Sequence, residues 1–155
     1  MEIRGYKPSD APEVSRLFYD TVHSVNRADY SEEQLKAWAP RVPDPGEWNA
    51  RMAARRTLVA AEGGEVLGFV ELEENGHLDM IYVRGDAVGR GVGRRLYEAA
   101  EREASELGCA TISTEASVTA RPFFERLGFR VVREQTVVRQ GVELTNFVME
   151  IRLPG

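Results

Sequence analysis

Hydrophobic positions change period along this chain, and each change marks an element. Val14, Leu17, Phe18, Thr21, Val22 and Val25 recur at helical spacing. Ser9 or Asp10 precedes them as a cap, and Pro12 falls in the first turn, where a missing N–H does no harm. The pattern predicts an amphipathic helix of about four turns behind a first strand, MEIRGY. Ser31 and Gln34 have capping-box spacing, which predicts a short helix through Trp38, ended by Pro40, Pro43 and Pro45. Another short helix is expected from Glu47 to Arg55. From Thr57 the period becomes two, and TLVAAEGGEVLGFVELEE reads as strand, Gly-Gly turn, strand. Gly76 turns the chain into a third strand, HLDMIYV.

The helical period then returns. Val92, Leu96, Ala99, Ala100, Ala104 and Leu107 mark a long helix stopped by Gly108. CATISTEAS reads as a strand and TARPFFERLG as a short helix with a glycine stop. FRVVREQTVVRQ and VELTNFVMEIRL form a hairpin turning near Gly141. The order predicts an α+β (mixed α/β) fold with a largely antiparallel sheet and one parallel, right-handed strand–helix–strand unit from His77 to Ser117. Nothing long enough to link two domains appears, so residues 1–155 read as one domain.

Composition narrows the function. The formal charge of -5 argues against bulk nucleic-acid binding. The single cysteine, Cys109, excludes an internal disulfide and a cysteine metal cluster, and its apolar surroundings suggest a core residue. His23 and His77 form no metal motif, so no metal is expected. The N-terminus, MEIRGYKPSD, is charged from its second residue. That is the pattern of neither a signal peptide nor a membrane span, and a cytoplasmic location is the expectation.

The richest chemistry lies in VRGDAVGRGVGRRL, Val83 to Leu96. A strand ends there, glycines follow, and a helix begins near Gly91. Free N–H groups and the helix dipole at such a junction favour an anion, and glycines let its oxygens approach the backbone. Arg84, Arg90 and Arg94 add charge at the rim. A P-loop needs its second glycine where Arg90 stands, and a dinucleotide fingerprint needs its third at Arg94 or Leu96, so both spellings fail.

What the spelling resembles is the [Q/R]-x-x-G-x-[G/A] motif of the GNAT superfamily of acyl-CoA-dependent N-acetyltransferases. Ile81-Tyr82-Val83 is the strand end, and Val88-Gly89-Arg90-Gly91-Val92-Gly93 the loop, with Val88 in place of the usual Gln or Arg. A second family pattern matches Ser117 to Phe129, with Phe123-Phe124 as its aromatic pair. TVHSVNRADYSEEQLKAWAP, HLDMIYV, ASVTARPFFERLGF and ELTNFVM look like a narrower group, the YafP-like acetyltransferases of bacteria.

The resemblance implies the GNAT fold, acetyl-CoA as cosubstrate and direct transfer to a primary amine of a small molecule or peptide. Its rivals are a protein lysine or N-terminal acetyltransferase and a catalytically weak acyl-CoA sensor. It implies that Val88 to Arg94 hold the pyrophosphate and that Val83 pairs with the pantetheine arm. The N–H of Ile81 or Tyr82 faces the thioester oxygen, while Ser117, Phe123 and Phe124 line the cofactor. Strand alternation puts His77, Asp79, Ile81 and Val83 on one face, and either His77 or Asp79 is the base, with Glu71 and Glu115 behind them. Phe124 stands where many members carry a tyrosine acid, so solvent, Tyr30 or Tyr82 supplies that proton. Ser117 can bond the pantetheine or a catalytic water. His23, Asn26, Tyr30, Trp38, Trp48 and Asn146 are candidates for the acceptor side. A homodimer is left open.

Overall fold

A computed structural model describes all 155 residues. β1 (Glu2–Gly5) leads through a 3-10 turn into α1 (Ala11–Ser24), followed by α2 (Glu32–Trp38) and α3 (Pro45–Ala53). β2 (Arg56–Glu62), β3 (Glu65–Leu72) and β4 (His77–Val83) form the expected meander. Then come α4 (Val92–Glu106), β5 (Thr111–Ser117), α5 (Arg121–Leu127), β6 (Arg130–Arg139) and β7 (Val142–Arg152). The seven strands make one sheet in the order β1-β2-β3-β4-β5-β7-β6, antiparallel except between β4 and β5. This is the mixed α/β arrangement expected, largely antiparallel with one parallel pair. No helix is long and apolar enough to cross a membrane.

Each face of the sheet buries its own helices. α4 and α5 cover one face, where Leu96, Ala100, Phe124 and Phe129 pack on Leu78, Ile112 and Met149. α1 to α3 cover the other, where Val14, Phe18, Leu35 and Met52 pack on Val59, Phe69 and Met80. A large apolar side chain fully buried in either layer contributes about 1.5–3 kcal/mol.

The local signals hold with instructive exceptions. Ser31 Oγ accepts from the Gln34 N–H at 3.2 Å, and Gln34 Oε1 accepts from the Ser31 N–H at 2.9 Å, so the capping box closes. Pro45 opens α3 instead of ending α2, because Asp44 Oδ2 accepts the Glu47 N–H at 3.0 Å and proline suits a first helical position. Asp10 sits at the start of α1, but its carboxylate turns back to Arg4 and to the Lys7 N–H. A two-pronged charged partner outcompetes a neutral cap. Cys109 lies outside β5 and only half buried, its Sγ 3.4 Å from the Glu74 carbonyl.

One expectation about β4 is overturned. β3 and β4 slip register, pairing Leu72 with Leu78 and Glu71 with Met80, which leaves Asp79 as an extra, bulged residue. A bulge reverses the alternation beyond it. Leu78, Ile81 and Val83 therefore pack toward α4, while Met80 and Tyr82 pack toward α1. His77 reaches Asp79, and Asp79 reaches Arg51 of α3 and Arg55 just beyond it. His77 and Asp79 do not share a face with Ile81 and Val83.

The turn into β4 is equally constrained. Gly76 has φ +92°, and a Cβ there would lie 2.5 Å from the Thr111 carbonyl oxygen. Its own carbonyl accepts the Ser113 N–H at 3.1 Å, which seats β5 beside β4. Gly63 also has positive φ but faces open space. Gly63→Ala should cost about 1 kcal/mol from backbone strain alone, and Gly76→Ala clearly more, measured as the shift in urea-unfolding midpoint. Equal costs would refute the close-approach account.

Candidate functional site

The site begins where two strands stop pairing. β4 and β5 are matched only at His77 with Ser113 and Leu78 with Thr114. At the end of that contact Thr114 Oγ1 donates to the Leu78 carbonyl at 2.8 Å, a side-chain bond in place of the next ladder bond. Beyond it the strands part around a cleft of about 550 Å³, walled by Asp79 to Val83 on one side and Thr114 to Ser117 on the other.

Register determines which backbone groups face the gap. The Arg84 N–H donates to the Leu67 carbonyl at 2.8 Å, so the alternation of antiparallel pairs spends the N–H groups of Tyr82 and Met80 on β3. Those of Ile81 and Val83 point toward β5, where no strand meets them. Of the two residues offered as oxyanion donors, Ile81 has the N–H directed into the cleft. The Val83 carbonyl also turns this way and takes a 3.3 Å bond from Thr21 Oγ1.

The glycine loop closes one end of the cleft. Gly89 and Gly91 have φ of +87° and +80°, and nothing lies within 4 Å of where their Cβ atoms would be. The first bond of α4 runs from the Arg95 N–H to the Gly91 carbonyl, 3.1 Å. The N–H groups of Val92, Gly93 and Arg94 thus have no intrahelical partner, and no side chain caps them. The space is open, donor-rich and at the positive end of a 15-residue helix, which suits a diphosphate. Phe123 packs against Gly93 beneath it. Val88 borders the cleft and is 55% exposed. Of the three arginines expected at the rim only Arg94 lines the cleft, and Arg126 of α5 joins it. Arg84 is held by Asp86 and Glu65, and Arg90 by Glu62 at 2.8 Å.

At the opposite end lies a cluster of charges. Glu71 on β3 has no solvent exposure, yet Arg51 of α3 and Arg55, just beyond its end, both reach it at 2.9 Å. The same two guanidinium groups bond Asp79, which borders the cleft. His77 stands behind Asp79, with Nε2 3.6 Å from Oδ1, and its Nδ1 is 3.2 Å from Ser113 Oγ. These neighbours move the carboxyls apart. His77 and the arginines hold Asp79 well below the usual range, whereas burial pushes Glu71 up against the pull of Arg51. The Asp79 carboxylate raises His77 above its ordinary value.

The other expected residues divide. Asn26, Trp38, Tyr82, Ser117, Phe123 and Phe124 line the cleft. Asn26 Nδ2 lies 3.4 Å from Ser117 Oγ, and Asn146 is the β7 partner of Ser117, its Oδ1 buried without a hydrogen bond. Phe124 is 2% exposed and stacks edge-on with Phe123 and Phe129. Tyr30 is fully engaged elsewhere: its hydroxyl donates to the Thr145 carbonyl at 2.7 Å and accepts from the Val118 N–H at 2.9 Å. His23 faces a separate surface hollow beside Tyr19, with Nε2 2.7 Å from the Ala39 carbonyl. Trp48 packs between Phe18 and Phe69. Arg51, Arg55, Thr21 and Thr114 were not anticipated. Two arginines at i and i+4, facing a sheet with acids at two mid-strand positions, are a signal the sequence did contain for the first pair. The two threonines carry no local signal.

The geometry agrees with comparisons to known proteins. The family model of the acetyltransferase (GNAT) domain matches residues 26–151. The uncharacterized N-acetyltransferase YafP of Escherichia coli is 33% identical over 98% of this chain and 96% of its own. A GCN5-related N-acetyltransferase of Rhodopseudomonas palustris superposes with a TM-score of 0.93 at 36% identity, covering 98% of this chain and 95% of the other. The PaiA N-acetyltransferase of Thermoplasma acidophilum, solved with coenzyme A, has the same fold at a TM-score of 0.81 and 18% identity, covering 97% and 98%. A strand pair that parts beside a glycine-cradled helix start, and these matches over nearly the whole length, make this chain a member of the GNAT acetyltransferase family.

Proposed function

We propose that this acetyltransferase, acting as one domain, moves the acetyl group of acetyl-CoA directly to a primary amine of a small molecule or peptide. The observation that carries this reading is the parted β4–β5 pair, with the open Gly89–Gly91 cradle at one end and a carboxylate–imidazole pair at the other. When bound, acetyl-CoA supplies an activated thioester carbonyl. In this reading the N–H groups of Val92 to Arg94 hold its diphosphate. The Val83 backbone pairs with the pantetheine arm, and Phe123 supports the loop. Ser117 Oγ accepts from the Ala120 N–H at 3.0 Å, which leaves its own proton to donate into the cleft.

The Ile81 N–H stabilises charge on the carbonyl oxygen, an interaction that strengthens as the transition state forms. On the acceptor side, Trp38, Asn26 and Asn146 shape the space. Asp79 stays ionised and accepts an N–H of the incoming ammonium. It is a poor base, because its pKa is held so low. His77 behind it, whose proton affinity the Asp79 carboxylate raises, takes the proton through water, leaving a neutral amine to attack. Tyr30 and His23 have no part here, since the Tyr30 hydroxyl is spent on backbone groups and His23 faces a separate hollow.

The proton for the departing thiolate comes from solvent. Burial pushes both Tyr30 and Tyr82 above the ordinary phenol value of about 10. A thiol near 8.5 cannot draw a proton from either with any driving force.

Gly91→Glu should weaken acetyl-CoA binding at least about 100-fold, roughly 2.7 kcal/mol, because a carboxylate enters the cradle. Calorimetric titration of the folded variant reads this, and ordinary affinity would refute the loop assignment. CoA release measured with a panel of primary amines should rise with pH through the raised His77 pKa. The base must be neutral, so activity appears above that value. Asp79→Asn removes the main cause of the raise and should move this limb to lower pH, while His77→Gln should abolish it. A limb unmoved in both variants excludes His77 as the base.

A further inference from the structure

The bulge in β4 has an unusual brace. Arg51, in the last turn of α3, and Arg55, in the bend that follows it, each bond two carboxylates: Glu71, on β3 opposite the bulge, and Asp79, the bulged residue itself. Arg51 grips Glu71 with Nε at 3.0 Å as well as with Nη2 at 2.9 Å. The two strands are thereby clamped through their side chains at the point where ladder pairing slips. The two guanidinium groups supply the positive charge that a fully buried Glu71 requires, and Glu73 lies 3.9 Å from Arg55 at the edge of the cluster. Asp79 and Met80 together oppose Glu71, and this shift directs the Ile81 and Val83 N–H groups toward the parted strand instead of back to β3.

We propose that Arg51 and Arg55 are positioning residues: by bridging Glu71 and Asp79 they hold the bulge, and through it the aim of the Ile81 N–H into the cleft. They touch neither the cradle nor the Asn26–Trp38 wall, so cofactor affinity does not depend on them. The role rests on Ile81 being the donor to the thioester oxygen. Lysine keeps the charge but has a single nitrogen, which cannot bond two carboxylates in the fork geometry of a guanidinium. Arg51→Lys therefore loosens the clamp without leaving Glu71 buried beside no cation.

The test uses the Ile81 amide proton, followed by NMR as the whole protein is titrated with acetyl-CoA and, separately, with CoA. In the wild type the amide shift should differ between the two ligands, because only acetyl-CoA brings a carbonyl oxygen to that N–H. In Arg51→Lys both ligands should bind with unchanged affinity while the difference is lost. On any amine that the wild type acetylates, kcat should fall on the order of 10²-fold with KM for acetyl-CoA unchanged. A variant that keeps the acetyl-dependent shift overturns the proposal. So does one whose turnover falls only in step with its folded fraction. A wild type that binds both ligands without any shift difference refutes the Ile81 role instead, and one that binds neither refutes the functional reading. If Arg51→Lys does not fold, Arg55→Lys, with the same prediction, takes its place.

Discussion

Everything in this molecule depends on two strands that begin to pair and then stop. A parted strand exposes donors and acceptors that a continuous ladder would satisfy, and each such buried group left alone costs about 1–3 kcal/mol. The chain meets part of that cost with side chains. Thr114 takes the Leu78 carbonyl and Thr21 the Val83 carbonyl. What remains are N–H groups directed into a cleft, and unspent donors are what a binding site for carbonyls and phosphates needs. The instability of the gap and its usefulness are one property.

The acidic residues beside the gap show how environment separates identical chemistry. Glu71 and Asp79 share two arginines, yet one carboxyl is pushed up and the other down. Glu71 lies wholly out of water, so losing hydration dominates. Asp79 keeps contact with the cleft and gains a third partner in the His77 imidazole. The imidazole is raised in turn. A group whose pKa is raised therefore stands behind one whose pKa is held down, and the proposed mechanism uses this to separate holding a cation from accepting its proton.

Much of this was legible in the sequence, for physical reasons. Periods, caps and turn residues located every strand and α-helix, with α3 shifted to Pro45–Ala53, and Gly89 and Gly91 do take the positive φ that the loop reading needed. The aromatic pair Phe123–Phe124 also fell where it was expected. What sequence could not reveal came from nonlocal contacts. Strand alternation placed His77 and Asp79 with Ile81, and one bulged residue, invisible in a string of letters, reversed the assignment. Tyr30 looked available as a hydroxyl, but its proton goes to Thr145 and its lone pair to Val118. His23 sits on the amphipathic α1 near the expected acceptor region, yet its turn of the helix faces a different hollow.

The parity switch at Asp79 has a consequence for division of labour. An unbroken β4 would send His77, Asp79, Ile81 and Val83 to one face and force cofactor and acceptor chemistry onto the same surface. With the bulge, Ile81 and Val83 pack against the α4 layer, which carries the cradle, while His77 and Asp79 belong to the layer of α1 to α3. Their backbone and side chains meet only in the gap. A cofactor-sized group can then lie along one face and an amine approach from the other, with the carbonyl between them. This also accounts for the tolerance of phenylalanine at position 124. It is buried on the α4 side among Phe123 and Phe129, where packing is its whole contribution. In the proposed mechanism the acceptor loses its proton on the opposite face, at His77 and Asp79.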